Sequence, residues 1–184
     1  GFIHSFNGPH SLFIDTIRSM RVLAAAHQLG HVLMGESDRR ISLLQRLLAH
    51  AETTARYNVY FGEGRDIYDV PGRVAHESIF NITDGAYRCP SSQQGYSAFS
   101  TWTRGLAWAV LGYAELAELM DQLSDEAVEA CAVPGMESRG QARSRLLAVA
   151  QTCADFYIAN TASDGIPYWD TGAPGLAELG QWQD

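Results

Sequence analysis

The chain lacks a positive charge excess, a membrane-length apolar run and enough cysteine to staple a fold. Its 184 residues carry a formal charge of −8 at pH 7. Phosphate binding needs a basic face, so this balance argues against nucleic acid as a partner. An anionic substrate would have to be met locally by individual arginines rather than by a general positive field. The three cysteines, Cys89, Cys131 and Cys153, are odd in number and irregularly spaced, which suits neither a disulfide framework nor a zinc site. A reducing compartment, the cytoplasm, is the natural expectation, with the periplasm left open. Within these residues there is no basic-then-apolar leader and no apolar stretch of membrane length, so no membrane partner is expected. The chain starts at Gly1-Phe2-Ile3-His4 without Met and stops at Trp182-Gln183-Asp184 soon after a turn-rich stretch. Those ends read as an internal piece of a longer protein, with residues 1–184 forming one domain.

An apolar content of 46% and a charged content of 18% are those of an ordinary globular protein, and the patterning is helical. Residues from about Leu12 to Val32 form a strong helix candidate, with Pro9 at the entry and Ser11 as N-cap. It is apolar on more than one face and therefore reads as buried. A second, amphipathic helix is expected from about Asp38 to Asn58, capped by Ser37. Ile41, Leu43, Leu44, Leu47, Leu48 and Ala51 form its dry side, which places it on the outside. From Phe61 to Pro90 breakers accumulate, with a short strand possible over residues 73–81. A third helix starts at Ser100 or Thr101 and runs to about Asp121. Gly105, Ala109 and Gly112 strip one side of it, so a neighbour can approach closely. After a connection over residues 123–136, a fourth amphipathic helix is expected from about Glu137 to Asn160.

The second and fourth helices resemble each other. Residues 47–57 align with residues 146–156, each copy followed by a Gly/Asp/Pro-rich turn. Alternating buried and amphipathic helices in a repeat build a ring of helical hairpins, with inner helices around an axis and outer helices covering them.

The chemistry concentrates in Gln94-Gly95-Tyr96 followed by Ser100-Thr101-Trp102-Thr103-Arg104-Gly105-Leu106-Ala107-Trp108. Trp102 and Trp108 offer flat apolar faces, Arg104 a planar fork of donors, and Gln94 both a donor and an acceptor. Arginine binds carboxylates in bidentate fashion, and sugar rings can lie against indole. The set suits a sugar that carries a carboxylate, although core tryptophans and a surface arginine would use the same residue types. Asp15, like Trp102 and Arg104, falls in the first turn of a helix read as internal. If those helices run in the same direction, all three gather at one mouth, where the loop bearing His76 and Gln94 also enters. The apolar neighbours of Asp15 favour its protonated form, whereas the helix dipole and a nearby arginine oppose that. His10, His27, His31 and His50 lack the spacing of metal ligands and read as ordinary, and His4 stays open. Trp169 and Asp170, on a turn after Pro167, are expected to rim the cleft.

The Gln-Gly-Tyr turn, Ser100–Gly105, Ala107-Trp108 and Gly112 together resemble the signature of the unsaturated glucuronyl hydrolases, glycoside hydrolase family 88. Upstream, Phe13-Ile14-Asp15-Thr16 is similar to the family's acidic motif and His76 falls in order. Downstream, Gly165-Ile166-Pro167-Tyr168-Trp169-Asp170 extends the match. The resemblance implies an all-α fold, a partial (α/α)6 barrel with a short β/loop excursion, and a catalytic domain needing no metal or cofactor. The implied substrate is an oligosaccharide with a 4,5-unsaturated uronic acid at its non-reducing end. Asp15 would be the general acid, and His76, Gln94, Trp102, Arg104 and Trp108 would shape the sugar site. The chain departs from the pattern at Leu106, where the family commonly has Gln, and at Ser97-Ala98-Phe99, where it has acidic residues. The related unsaturated rhamnogalacturonyl hydrolases (family 105-like) and a non-catalytic glycan-binding helical repeat are the alternatives. Oligomeric state is left open.

Overall fold

The computed structural model describes residues 1–176; residues 177–184, including the Trp182-Gln183-Asp184 end of the expected domain, lie outside the described residues. Strand β1 (Ser11–Phe13) leads through a 3-10 segment (Ile14–Ser19) into helix α1 (Met20–Gln28). A two-residue hairpin, β2 (Leu33–Met34) and β3 (Arg40–Ile41), precedes helix α2 (Leu43–Asn58). Strands β4 (Glu77–Phe80) and β5 (Tyr87–Ser91) join β1 in an antiparallel sheet of order β1-β4-β5. Helix α3 (Thr103–Met120), the short α4 (Asp125–Glu129) and α5 (Arg139–Ala159) follow.

Two helical hairpins, α1/α2 and α3/α5, share one core. In α2 the buried residues Leu44, Leu47, Leu48, Ala51 and Ala55 recur every third or fourth position, as a single dry stripe requires. In α5, Ala142, Leu146, Val149, Ala150 and Cys153 do the same. The repeat read from the sequence has a structural counterpart. Thr53 and Thr152, aligned positions, each donate their hydroxyl to the carbonyl four residues back, at 2.7 and 2.9 Å. The entries to the hairpins also match: the Ile14 N–H donates to the His76 carbonyl, and the Thr103 N–H to the Trp169 carbonyl, both at 3.0 Å. Phe13 lies opposite Glu77 just as Trp102 bridges Asp170. Extended pairing thus supplies partners that a capping side chain otherwise gives a helix start. Polar contacts between α2 and the second hairpin help to tie the hairpins together. The Tyr113 hydroxyl donates to the Ala51 carbonyl at 2.8 Å, and Arg145 grips Glu52 with two bonds of 3.0 and 3.2 Å.

Four expectations are corrected. Residues 11–13 form a strand, so Ser11 does not cap a helix; its hydroxyl donates to Glu77. The first helix is not buried all round. It buries Met20 and Ala24 while Val22 and Leu29 face outward, 69% and 76% exposed. The second helix begins after Ser42, whose hydroxyl accepts the Gln45 N–H at 3.2 Å, because Ser37 and Asp38 take left-handed φ angles of 58° and 57°. The connection over residues 123–136 contains α4, capped by Ser124. The stripped side of α3 meets its expected neighbour, the 3-10 segment. A methyl added at Gly112 would sit 2.9 Å from both the backbone and the side chain of Ile17.

That contact gives a sharp prediction. Gly112→Ala destabilises the protein by about 1–3 kcal/mol through overpacking, despite its better helix propensity. Gly140→Ala, at an open position of α5, is neutral or stabilising by up to about 1 kcal/mol. Urea unfolding of the two variants checks the contrast.

His50 yields a second prediction. It is wholly buried, its Nδ1 accepts the Ile3 N–H at 3.1 Å, and burial lowers its pKa to about 4. Between pH 6.5 and about 4 the unfolded chain binds the proton that folded His50 refuses. Its stabilising contribution is therefore complete above pH 6.5 and is lost as the pH falls toward 4, by at most about 1.4 kcal/mol per unit. His50→Gln flattens this slope in urea midpoints measured from pH 7 to 5.

Candidate active site

Three segments meet where the two hairpins begin: the start of the 3-10 segment, the residue before β4, and the first turn of α3. Asp15 occupies the first, with its side chain one-third exposed. His76, nearly fully buried, approaches from the second, its Nε2 3.5 Å from Asp15 Oδ2. That separation is long for a hydrogen bond and short for an electrostatic contact. His76 Nδ1 accepts the backbone N–H groups of Gln93 and Gln94 at 2.9 and 3.3 Å. An accepting Nδ1 leaves the ring proton of the neutral imidazole on Nε2, which is buried and makes no hydrogen bond among the described residues. Asp15 Oδ1 is buried, and no hydrogen-bond partner for it exists among the described residues.

Aromatic rings hold the imidazole from both hairpins. Its centroid is 5.0 Å from the Phe13 ring and 4.9 Å from the Trp102 ring, the latter edge-on. Trp102 is 8% exposed, and the exposed Arg104 places its guanidinium carbon 5.3 Å from the Trp102 ring. Asp15, His76, Trp102 and Arg104 therefore form a chain of contacts, and Gln94 joins it through its backbone, with its side chain exposed. Trp108 lies one helical turn beyond Arg104, half-buried, under the guanidinium of Arg18 at 4.2 Å. A cleft of about 1030 Å3 lies elsewhere, lined by Arg39 and Arg40 at β3 and by Arg46 and Arg56 of α2.

The Gln-Gly-Tyr turn is clamped by buried acids of both hairpins. Glu77 accepts from Ser11, from Asn7 at 3.4 Å and from Gln93 at 3.0 Å. Burial pushes its pKa up, but these hydrogen bonds outweigh burial and hold it below the usual carboxylate range. Asp170 accepts the Tyr96 N–H at 2.8 Å and the Gly172 N–H at 2.9 Å. Asp170 is fully buried and so does not rim a cleft as expected; Trp169 beside it is 55% exposed. A side chain at Gly95 would lie 2.7 Å from Ser92 Oγ and 2.9 Å from Asp170 Oδ2, which leaves no room for one. At the departures from the family pattern, Leu106 is core, and Ser97 Oγ accepts the N–H groups of Phe99 and Ser100.

Sequence reasoning missed Arg18, Glu77 and Asn58. Arg18, three residues after Asp15, and Glu77, a charge inside an apolar strand, carried a local signal. Asn58 carried none. From the end of α2 its Nδ2 reaches the carbonyls of Leu12 and Ala75, at 3.2 and 3.1 Å. Among the described residues no group of three or more His, Cys, Asp or Glu could hold a metal ion.

The arrangement defines a class: a helical-hairpin repeat whose hairpin entries carry an acid–imidazole pair flanked by indole and guanidinium, groups suited to an anionic sugar. Among known proteins, it is the unsaturated glucuronyl hydrolases that the chain is similar to. One such protein from Formosa agariphila is 28% identical over 131 residues, covering 70% of this chain and 25% of that protein. The crystal structure of the enzyme from Bacillus sp. GL1, responsible for the degradation of glycosaminoglycan, superimposes with a TM-score of 0.63 at 22% identity. That match covers 91% of this chain and 36% of the other. A structure of a variant UGL with dGlcA-Glc-Rha-Glc gives a TM-score of 0.64 at 22% identity, over 95% and 36% of the two chains. No family model matches the chain. The fold is thus shared with part of these structures, and the chain spans about a quarter of the curated relative.

Asn58→Ala removes the buried amide that bonds the Leu12 and Ala75 carbonyls beside the acid and the imidazole, and costs about 1–3 kcal/mol. Urea unfolding measures this loss, and an unchanged midpoint would show that the amide does not hold the site together.

Proposed function

We propose that the chain is part of an unsaturated glucuronyl hydrolase built on an (α/α)6 barrel. Its substrate would be an oligosaccharide ending in a 4,5-unsaturated uronic acid. The observation that carries this reading is the contact of Asp15 Oδ2 with His76 Nε2 at 3.5 Å, beside the Trp102 ring. The similarity to proteins named for this activity supports the same reading.

In this mechanism protonated Asp15 gives its proton to C4 of the enol ether, and the alkene electrons form the new C–H bond. The cation left at C5 is shared with the ring oxygen. Water attacks C5 and returns a proton to the Asp15 carboxylate. The hemiketal opens by breaking its bond to the ring oxygen, C1 then releases the rest of the oligosaccharide, and the former uronate leaves as a keto acid. The usual pair of carboxylates across a glycosidic bond is not required.

The remaining residues have supporting parts. His76, fixed in one tautomer, orients the acid. Arg104 meets the substrate carboxylate, the exposed amide of Gln94 meets hydroxyls, and the part of the Trp108 ring that Arg18 leaves uncovered lies against the sugar, while Trp102, 8% exposed, backs the imidazole and the Arg104 guanidinium.

The conjugated alkene–carboxylate absorbs in the ultraviolet and loses that absorbance on hydration. With the full-length protein the signal decays, and Asp15→Asn slows the decay by about 10²–10⁴-fold while leaving thermal unfolding in place. An Asp15→Asn protein as fast as the parent removes Asp15 from the mechanism. Binding without decay by the parent identifies a glycan-binding module instead.

A further inference from the structure

The mechanism above uses one cation, Arg104, yet a second guanidinium, that of Arg18, lies on the same 3-10 segment as Asp15. Arg18 follows Asp15 by one turn of the 3-10 segment, where residues three apart lie on the same face. Its guanidinium carbon stands 4.2 Å from the Trp108 ring centroid. Arg104 and Trp108 are four residues apart on α3, which places them side by side, with about 5–6 Å between their β-carbons. The two elements are in contact along the stripped face of α3, so Arg104 over Trp102 and Arg18 over Trp108 form two cation–indole pairs in one strip.

Arg18 has features of a ligand-binding cation. It is exposed, and among the described residues it has no acid partner, whereas Arg21, Arg73, Arg139, Arg143 and Arg145 are each paired with a carboxylate. Stacking on Trp108 restrains the planar fork without using its donors, so less side-chain freedom is lost when an anion binds. All thirteen basic residues of this chain are arginines, and the net charge is −8. Arg18 and Arg104, each over an indole of α3, thus place two guanidinium groups without acid partners, among the described residues, at one helix start.

We infer that Arg18, held by Trp108, binds a second anionic group of the substrate. That group would be a sulfate ester or a second carboxylate on the sugar next to the unsaturated uronate. The inference rests on the proposed function for the identity of the ligand. Arg104 takes the uronate carboxylate and Arg18 takes the second anion, so the pair selects doubly charged ends over singly charged ones.

The test uses the full-length protein and three unsaturated disaccharides whose second sugar is neutral, sulfated or itself a uronic acid. Calorimetry on the Asp15→Asn protein, which serves as the parent of the binding comparison, gives the affinities without the ligands being consumed. The parent binds at least one doubly charged disaccharide about tenfold more tightly than the neutral one, as expected for one added charge-assisted contact. Comparison of the two charged arms says whether sulfate or carboxylate is preferred. Arg18→Gln brings the ratio of affinities close to one, and Arg18→Lys, which keeps the charge but not the fork, retains part of it. A parent that does not distinguish the three ligands, or an Arg18→Gln protein that still does, overturns the inference. Absorbance decay is followed separately: a binding preference without decay leaves the role of Arg18 intact and sinks the hydrolase reading instead.

Discussion

The site depends on the pairing of β1 with β4. Phe13 lies opposite Glu77, and the next backbone bond, from the Ile14 N–H to the His76 carbonyl, ends the ladder where the 3-10 segment begins. Asp15 follows immediately on one strand and His76 immediately precedes the other, so this register alone brings acid and imidazole to 3.5 Å. A slip of one residue would send both side chains to opposite faces. Asn58 fixes the register from below by binding the carbonyls of Leu12 and Ala75, one on each side of the ladder. The packing of α2, which carries Asn58, is thereby coupled to the geometry of the acid.

The second hairpin repeats this device with different side chains. Trp102 bridges Asp170 as Phe13 pairs with Glu77, and the residue corresponding to Asp15 is Arg104. One structural position thus holds an acid in the first unit and a cation in the second. The buried acids paired with Phe13 and Trp102, Glu77 and Asp170, hold the Gln-Gly-Tyr turn and the Gln93 before it between the two units. Each buried carboxylate is stabilised by several N–H or O–H donors, as a charge removed from water requires. The turn then supplies the backbone N–H groups that set the tautomer of His76. Buried structural acids and the candidate acid are therefore parts of one network.

Apolar patterning made much of the architecture legible. The leucine and alanine stripes of residues 44–55 and 142–153 announced two amphipathic helices, and the Gly105–Gly112 side of α3 announced a close neighbour. The strand over residues 11–13 escaped notice because Leu12, Phe13 and Ile14 continue the apolar pattern of the helix beyond them, and a three-residue strand has no periodicity of its own. The start of α2 was misplaced because Ser37 and Ser42 are both acceptable caps. Left-handed angles at Ser37 and Asp38, forced by the β2–β3 hairpin, decide between them.

By itself the sequence determined the main helical segments, the cluster of indoles and a guanidinium at the start of α3, and which residues could supply an acid. Those features follow from side-chain chemistry and local periodicity, which neighbours along the chain are sufficient to define. Only the tertiary structure decided that Asp15 faces His76, that Asp170 is buried rather than exposed at a rim, and that Arg18 stacks on Trp108. Each of these is a contact between residues distant in sequence, set by strand register and by the approach of the 3-10 segment to α3. No local pattern encodes such contacts, because they exist only once the backbone has closed on itself.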